Sequence, residues 1–229
     1  MIGSRGAVTW SRLGRRAERP REAPQERSQK RPQIGPSDGV ERCGLCALPI
    51  AVRHRHLLDT EHRALRCACR ACAILFDGAR AGGARYRLVP ERCGELRSFA
   101  LGDADWDAFG IPVAIAFFFC STAAGRVVAF YPSPMGAMES SLGLGGWDAL
   151  AAANPALASM EPDVEALLVN RARGAREHWL VPVDACYRLV GIVRTHWKGF
   201  GGGPAVWTEI ARFFDTLREE ESWQPDRTT

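Results

Sequence analysis

No stretch of this chain is apolar for the roughly 18 consecutive residues that a membrane span needs. The longest apolar run, Ile111 to Cys120, is broken only by Pro112 and then meets Ser121 and Thr122. Its length suits a buried strand. The N-terminus offers no apolar leader segment, and Arg15-Arg16 is followed by Ala17-Glu18-Arg19-Pro20 rather than by a hydrophobic stretch, which argues against a secretory or twin-arginine signal. The expected location is cytoplasmic. Catalytic signatures are missing too: there are no paired carboxylates, no H-E-x-x-H and no nucleophile elbow. The expectation therefore leans away from an enzyme. A strong charge imbalance is also lacking. The formal net charge is +4, and residues 1–40 hold nine basic against four acidic side chains, a surplus of five, so the rest of the chain is near neutral. A near-neutral folded part argues against nucleic acid as a partner.

What is present is ordinary globular composition, with 46% hydrophobic and 24% charged residues over 229 positions. That is room for a small module plus one domain. Residues 1–40 mix arginine with Pro20, Pro24, Pro32 and Pro36 and are too poor in apolar groups to offset ordering entropy. They read as a disordered basic tail, or as upstream sequence that is not translated. Residues 41–78 hold five of the eight cysteines, residues 79–84 read as a linker, and 85–221 read as the main domain.

In the main domain, Tyr86–Val89, Val113–Ser121 and Arg126–Tyr131 are expected as strands, the last stopped by Pro132 and Pro134. Residues 130–140 then read as a long connection or a partner-docking loop. A Gly-rich loop at 143–146 leads into a helix from Trp147 to Ala153. Glu165–Asn170 and Glu177–Val181 form a hairpin. Asp184 is expected to cap a helix running to about Trp197, and Pro204 opens a last helix with Val206, Ile210, Phe213 and Leu217 on one side. The expected class is α+β: a small zinc-ribbon-like knuckle module, then an antiparallel sheet with helices packed on one face.

The sharpest signal is Cys43-x2-Cys46, twenty-two residues, then Cys69-x2-Cys72. Cytosolic cysteines clustered in this way point to metal rather than to disulfides. Each C-x2-C turn presents two thiolates from one knuckle, and two knuckles complete a tetrahedron. The intervening residues suit a hairpin with His56-Leu57-Leu58 out and Leu65-Arg66-Cys67 back. The arrangement is zinc-ribbon or rubredoxin-like, and four thiolates suit Zn²⁺ and iron alike. Rubredoxin-type sites usually carry Pro and Gly after the inner cysteine. Here Ala47-Leu48-Pro49 and Ala73-Ile74-Leu75 stand in those places, which favours zinc and leaves iron as the alternative. Four protein thiolates leave no open position, so the expected role is structural. Cys67, His54, His56 or His62 could each replace a ligand. His54 and His56 alternate with Arg53 and Arg55 and read as exposed strand positions.

Other candidates are weaker. Cys186 with His178 and His196 could suggest a thiol nucleophile and its base, but Cys186 falls beside Leu189 and Val190 and reads as core. Cys93 and Cys120 read as packing residues. Gly199–Pro204 precedes a helix, yet it lacks the Lys-Ser/Thr of a phosphate loop and no strand leads into it. It reads as a plain loop.

Several segments are similar to a known family: HRHLLD (54–59), CACRACAILFD (67–77), YRLVP (86–90), GIPVAIAFFF (110–119), GRVVAFYPSP (125–134), EPDVEALLVNRARGAREHWLVP (161–182) and CYRLVGIVRTHW (186–197). Together they resemble an uncharacterised bacterial family, a domain of unknown function whose genes tend to lie beside those of [NiFe] hydrogenases. The resemblance covers most of 43–220. It implies that the cysteine pairs fall on Cys43, Cys46, Cys69 and Cys72, and that the protein is an accessory factor for hydrogenase maturation or electron transfer. The partner would be a hydrogenase subunit or an assembly factor. The competing expectations are a rubredoxin-like electron carrier and a zinc-ribbon nucleic-acid-binding regulator.

Overall fold

The computed structural model describes residues 40–78, 85–140 and 146–222. Residues 1–39 of the tail expected at 1–40, the linker at 79–84 and positions 143–145 of the Gly-rich loop lie outside them. The described residues belong to one compact unit.

The first strands are β1 (Arg55–Asp59) and β2 (Ala64–Ala68), followed by a short helix α1 (Arg70–Leu75) and by β3 (Tyr86–Leu88). They build a three-stranded antiparallel sheet in the order β2-β1-β3. His56 stands opposite Cys67, and Leu57 stands opposite both Arg66 and Leu88. Because successive side chains alternate across a strand, Leu57 and Ala68 share one face, while His56, Leu58, Leu65 and Cys67 share the other. The first face is buried with Cys43, Cys72 and Ala73. The second carries Leu58 into a cluster with Val89, Val164 and Val183, with Leu65 and Tyr187 at its margin.

The larger sheet is built from β4 (Gly94–Glu95), β5 (Ile115–Ser121), β6 (Arg126–Ser133), β7 (Gly136–Glu139), β8 (Glu165–Asn170) and β9 (Glu177–Pro182). Its order is β4-β9-β8-β5-β6-β7, antiparallel throughout. The helices are α2 (Asp103–Ala108), α3 (Trp147–Ala153), α4 (Val183–His196) and α5 (Gly203–Glu219). Phe117, Phe119, Leu168 and Trp179 pack on one face against Cys186, Leu189 and Val193 of α4 and Val206, Ile210 and Phe213 of α5. Phe118, Leu167, Val169 and Leu180 pack on the other against Trp106 of α2, Leu150 of α3, and Leu157 in the 3-10 turn Pro155–Ser159.

Helices thus cover both faces, which corrects the expectation of one covered face. The signal was weak because α2 and α3 are short and bury a single side chain each, Trp106 and Leu150. The unbroken burial of Ile115 to Phe119 is the reverse side of the same fact, since a strand covered on both faces has no reason to alternate.

A second correction concerns β6, which continues through Pro132 and hairpins into β7, so residues 130–140 are not a long loop. The ladder to β5 ends at the pair Phe117 and Phe130. Beyond it β6 pairs only with β7, so the missing amide of Pro132 removes no bond from the β5 side. Among the described residues no helix is long and apolar enough to cross a membrane.

Candidate metal centre

The first knuckle is a miniature hairpin. Arg42 bridges Pro49, the Cys43 amide donates to the Leu48 carbonyl at 2.8 Å, and the Ala47 amide donates to the Cys43 carbonyl at 2.9 Å. Ala47 closes the turn at φ 60, a left-handed conformation that is usually left to glycine. The Gly44 amide donates to the Cys67 carbonyl at 2.8 Å and ties the knuckle to β2. The second knuckle is a helix start. Cys69 is the N-cap of α1, and its Sγ accepts from the Cys72 amide at 3.4 Å. A cap and its N3 residue lie on one side of the first turn, so both sulfurs face the same way.

The two knuckles meet. The Sγ atoms of Cys43, Cys46, Cys69 and Cys72 all lie within 4.8 Å of one another, and those of Cys46 and Cys69 are 3.7 Å apart. Four thiolates at about 2.3 Å from a tetrahedral ion stand about 3.8 Å from each other. The spacing is therefore that of a tetrahedron of ligands, and it is far too long for a disulfide. Cys43 and Cys72 are buried, Cys69 is half-buried, and Cys46 reaches the surface.

The electrostatics of the cluster point the same way. At Cys43, burial acts to raise the pKa, but the backbone amides of Cys69, Cys46 and Leu45 outweigh it and bring the thiol down to about 6. At Cys46 the Leu48 amide pulls down, while desolvation and the Cys43 sulfur prevail and leave a net upward shift. Cys72 is pushed far up, first by burial and then by the sulfurs of Cys46, Cys69 and Cys43. One sulfur thus ionises readily, and its negative charge opposes ionisation of its neighbours. A divalent cation at the centre would relieve that repulsion. The donor set fits such an ion.

A model described as a family of unknown function (DUF5947) matches residues 42–221. The chain belongs to this family. No curated protein and no solved structure matches it. The span shared with the family starts one residue before Cys43 and, among the described residues, takes in both sheets and α1 to α5.

The remaining candidates separate cleanly. His62 donates toward Asp59, which also receives Arg85 at 2.8 Å. Arg85 first, against burial, then His62 hold the Asp59 carboxyl well below its usual range. This carboxylate already has its cation. His54 and His56 were expected on an exposed strand. Instead the side chain of His54 is 8% exposed and that of His56 is 28% exposed: His56 is turned toward α4, and the His54 ring lies edge-on against it. Asp184 does not cap α4. It sits in the first turn, and its carboxylate accepts from His56 Nδ1 at 2.8 Å. Nothing in the local sequence announces a partner 128 residues away.

Cys186 and His178 do not meet. Cys186 is buried in the core between the larger sheet and α4 and α5. His178 alternates with Trp179 on β9, so it lies across the sheet, stacked on Phe99. Burial pushes the Cys186 thiol up, consistent with a packing residue. In the Gly-rich turn, the Lys198 amide donates to the Gly202 carbonyl, and the indoles of Trp197 and Trp207 donate to those of Gly199 and Gly201. It is a structural turn.

Proposed function

We propose that this protein is a non-enzymatic, metal-binding accessory factor whose four-cysteine site holds a structural zinc. The observation that carries this reading is the tetrahedral spacing of Cys43, Cys46, Cys69 and Cys72. With four protein thiolates the ion has no open position, so its work is to hold residues 41–78 in shape as a zinc-ribbon-like module. That segment has only a small apolar cluster of its own, and metal binding would supply much of its folding free energy.

A further feature favours docking to a protein. Leu48, Ile74 and Leu75, which follow the two knuckles, are more than half exposed. Apolar side chains on a metal-braced module suit docking to a protein. The resemblance in the 54–197 segments makes a [NiFe] hydrogenase subunit or assembly factor the first partner to try.

The second reading is a rubredoxin-like electron carrier with iron at the same residues. Its support is the set of backbone amides directed at Cys43, Cys46 and Cys69, since hydrogen bonds to the sulfurs tune such a site. Elemental analysis and a visible spectrum of untagged protein decide between the two. About one zinc without a visible band, lost in Cys69→Ser, supports the structural site; about one iron with a thiolate charge-transfer band supports the carrier. Metal-free wild type that is folded by near-UV circular dichroism removes both. For the partner, co-expression with hydrogenase subunits should give a complex with wild type and none with Cys69→Ser.

A further inference from the structure

His54, His56 and Cys67 come together on the opposite face of the small sheet from the four-cysteine site. One ligand atom from each lies within 4.8 Å of the other two. The sheet itself builds the group. His56 and Cys67 are cross-strand partners, His54 lies two residues before His56, and the two imidazole rings are 4.8 Å apart. Strand alternation sends these side chains away from Leu57 and Ala68, which face Cys43 and Cys72.

The hydrogen bonds around the imidazoles are those of ligands. His54 Nδ1 faces the Ala51 carbonyl at 2.9 Å. A carbonyl only accepts, so Nδ1 carries the proton and Nε2 holds the lone pair. His56 Nδ1 faces the Asp184 carboxylate at 2.8 Å, with the same consequence. An outer acceptor that fixes the tautomer and raises the basicity of the free nitrogen is the usual companion of a metal-bound histidine. His54 Nε2 is buried and has no hydrogen-bond partner, on a side chain only 8% exposed. A buried lone pair without a donor is costly unless something occupies it. Glu41 stands at the rim, with one carboxylate oxygen 3.5 Å from Cys67 Sγ and the other 3.6 Å from His54 Nδ1.

We propose that His54, His56 and Cys67 form a second metal site, for a borderline divalent transition ion such as zinc, cobalt or nickel. Two imidazoles and one thiolate are the donor softness that such ions prefer. Three protein ligands leave the fourth position to water or to the Glu41 carboxylate, so this ion is exchangeable where the four-cysteine ion is not. Through His56 and Asp184 the site also bears on the first turn of α4, and it sits where the metal module meets the larger sheet. The two sites share no ligand, so the inference does not depend on which ion the four cysteines hold.

The test is metal stoichiometry on the full chain, with zinc or cobalt(II) as the probe, before and after a mild chelator. Wild type should bind about two equivalents, one of them released by the chelator. Cys67→Ser and His56→Gln should each bind about one, with the four-sulfur cobalt spectrum retained as proof that the module is folded. His62→Ala, which alters a neighbouring exposed histidine outside the group, should still bind about two. A wild type that binds one equivalent overturns the site, as does a second equivalent that survives in both Cys67→Ser and His56→Gln.

Discussion

His56 in the small sheet donates its Nδ1 proton to Asp184 in the first turn of α4, at 2.8 Å. The pair links the cysteine-bearing segment to the helix that packs on the larger sheet, and both side chains are about three-quarters buried. Removing the carboxylate leaves a mostly buried imidazole N–H unpaired and takes an acid from the helix N-terminus. Asp184→Ala is expected to lower stability by about 1–3 kcal/mol. Asp184→Asn, whose amide oxygen still accepts, should recover most of the loss. Urea denaturation followed by far-UV circular dichroism measures both. Equal stability of wild type and Asp184→Ala would mean that the link contributes nothing.

The buried histidine of β9 makes stability depend on pH. His178 is 7% exposed and stacked on Phe99 at 4.7 Å. Burial, and then the neighbouring Arg176, bring its pKa down to about 4, against about 6.5 in an unfolded chain. Between these values the unfolded state binds the proton and the folded state does not, so a falling pH favours unfolding. The stability that neutral His178 protects is complete above about pH 6.5 and is lost progressively toward pH 4. His178→Phe keeps an aromatic ring against Phe99 and removes the titration. Its stability should fall less than that of wild type between about pH 7.5 and 4.5, by an amount on the order of 1–3 kcal/mol. Parallel curves for the two proteins would assign the acid sensitivity to other groups.

Glu165 is fully buried at the start of β8, and its partner Arg92 is mostly buried. Arg92 Nε donates to one carboxylate oxygen at 2.8 Å, while the other accepts from the Arg92 guanidinium and, at 2.8 Å, from the Glu161 amide. The pair is bidentate and one oxygen also takes a backbone amide, which is the arrangement that makes a buried charge tolerable. Breaking one side takes the bidentate counter-charge from the other. Glu165→Ala is expected to cost about 3–5 kcal/mol. The double variant Glu165→Leu with Arg92→Met should be markedly less damaged than the single one, because no charge is then stranded. Denaturation midpoints of the single and double variants check this directly, and an undamaged Glu165→Ala would contradict it.

How much of this was legible depends on the range of the signal. Cys43, Cys46, Cys69 and Cys72 were readable because each pair is local and the hairpin between them is short, so that spacing alone brings the sulfurs near each other. The hairpin of β8 and β9 and the stripe of Val206, Ile210, Phe213 and Leu217 were readable for the same reason: period and turn chemistry act over a few residues. The second covered face was not, since Trp106 and Leu150 come from short helices with no periodicity to display. β7 was missed because Pro132 stops a central strand but not one whose partner on that side has already ended. His54 and His56 looked exposed from their alternation with Arg53 and Arg55. His56 instead meets Asp184, far away in the chain, and His54 packs edge-on against the His56 ring; no local pattern carries such information.

The turn before α5 gives the sharpest steric prediction. Gly202 lies at φ +81, and a Cβ placed on it would meet Val206 Cγ1 at 2.8 Å and the Trp197 ring at 3.0 Å. Both neighbours are held in place: Val206 is fully buried in the α4 and α5 core, and the Trp197 indole donates to the Gly199 carbonyl at 2.9 Å. The Gly202 carbonyl accepts from the Lys198 amide at 3.0 Å, so the backbone cannot swing away without losing that bond. Gly202→Ala therefore adds a steric clash to an unfavourable backbone conformation. The expected loss is about 2–4 kcal/mol, from roughly 1–2 for the left-handed conformation and the remainder for overpacking. Gly201→Ala is the control, because a Cβ at that position would meet nothing within 4 Å and its φ is not positive; that variant should stay within about 1 kcal/mol of wild type. Thermal denaturation of the two variants separates the readings. If both lose stability equally, the turn requires flexibility as a whole rather than a glycine at position 202.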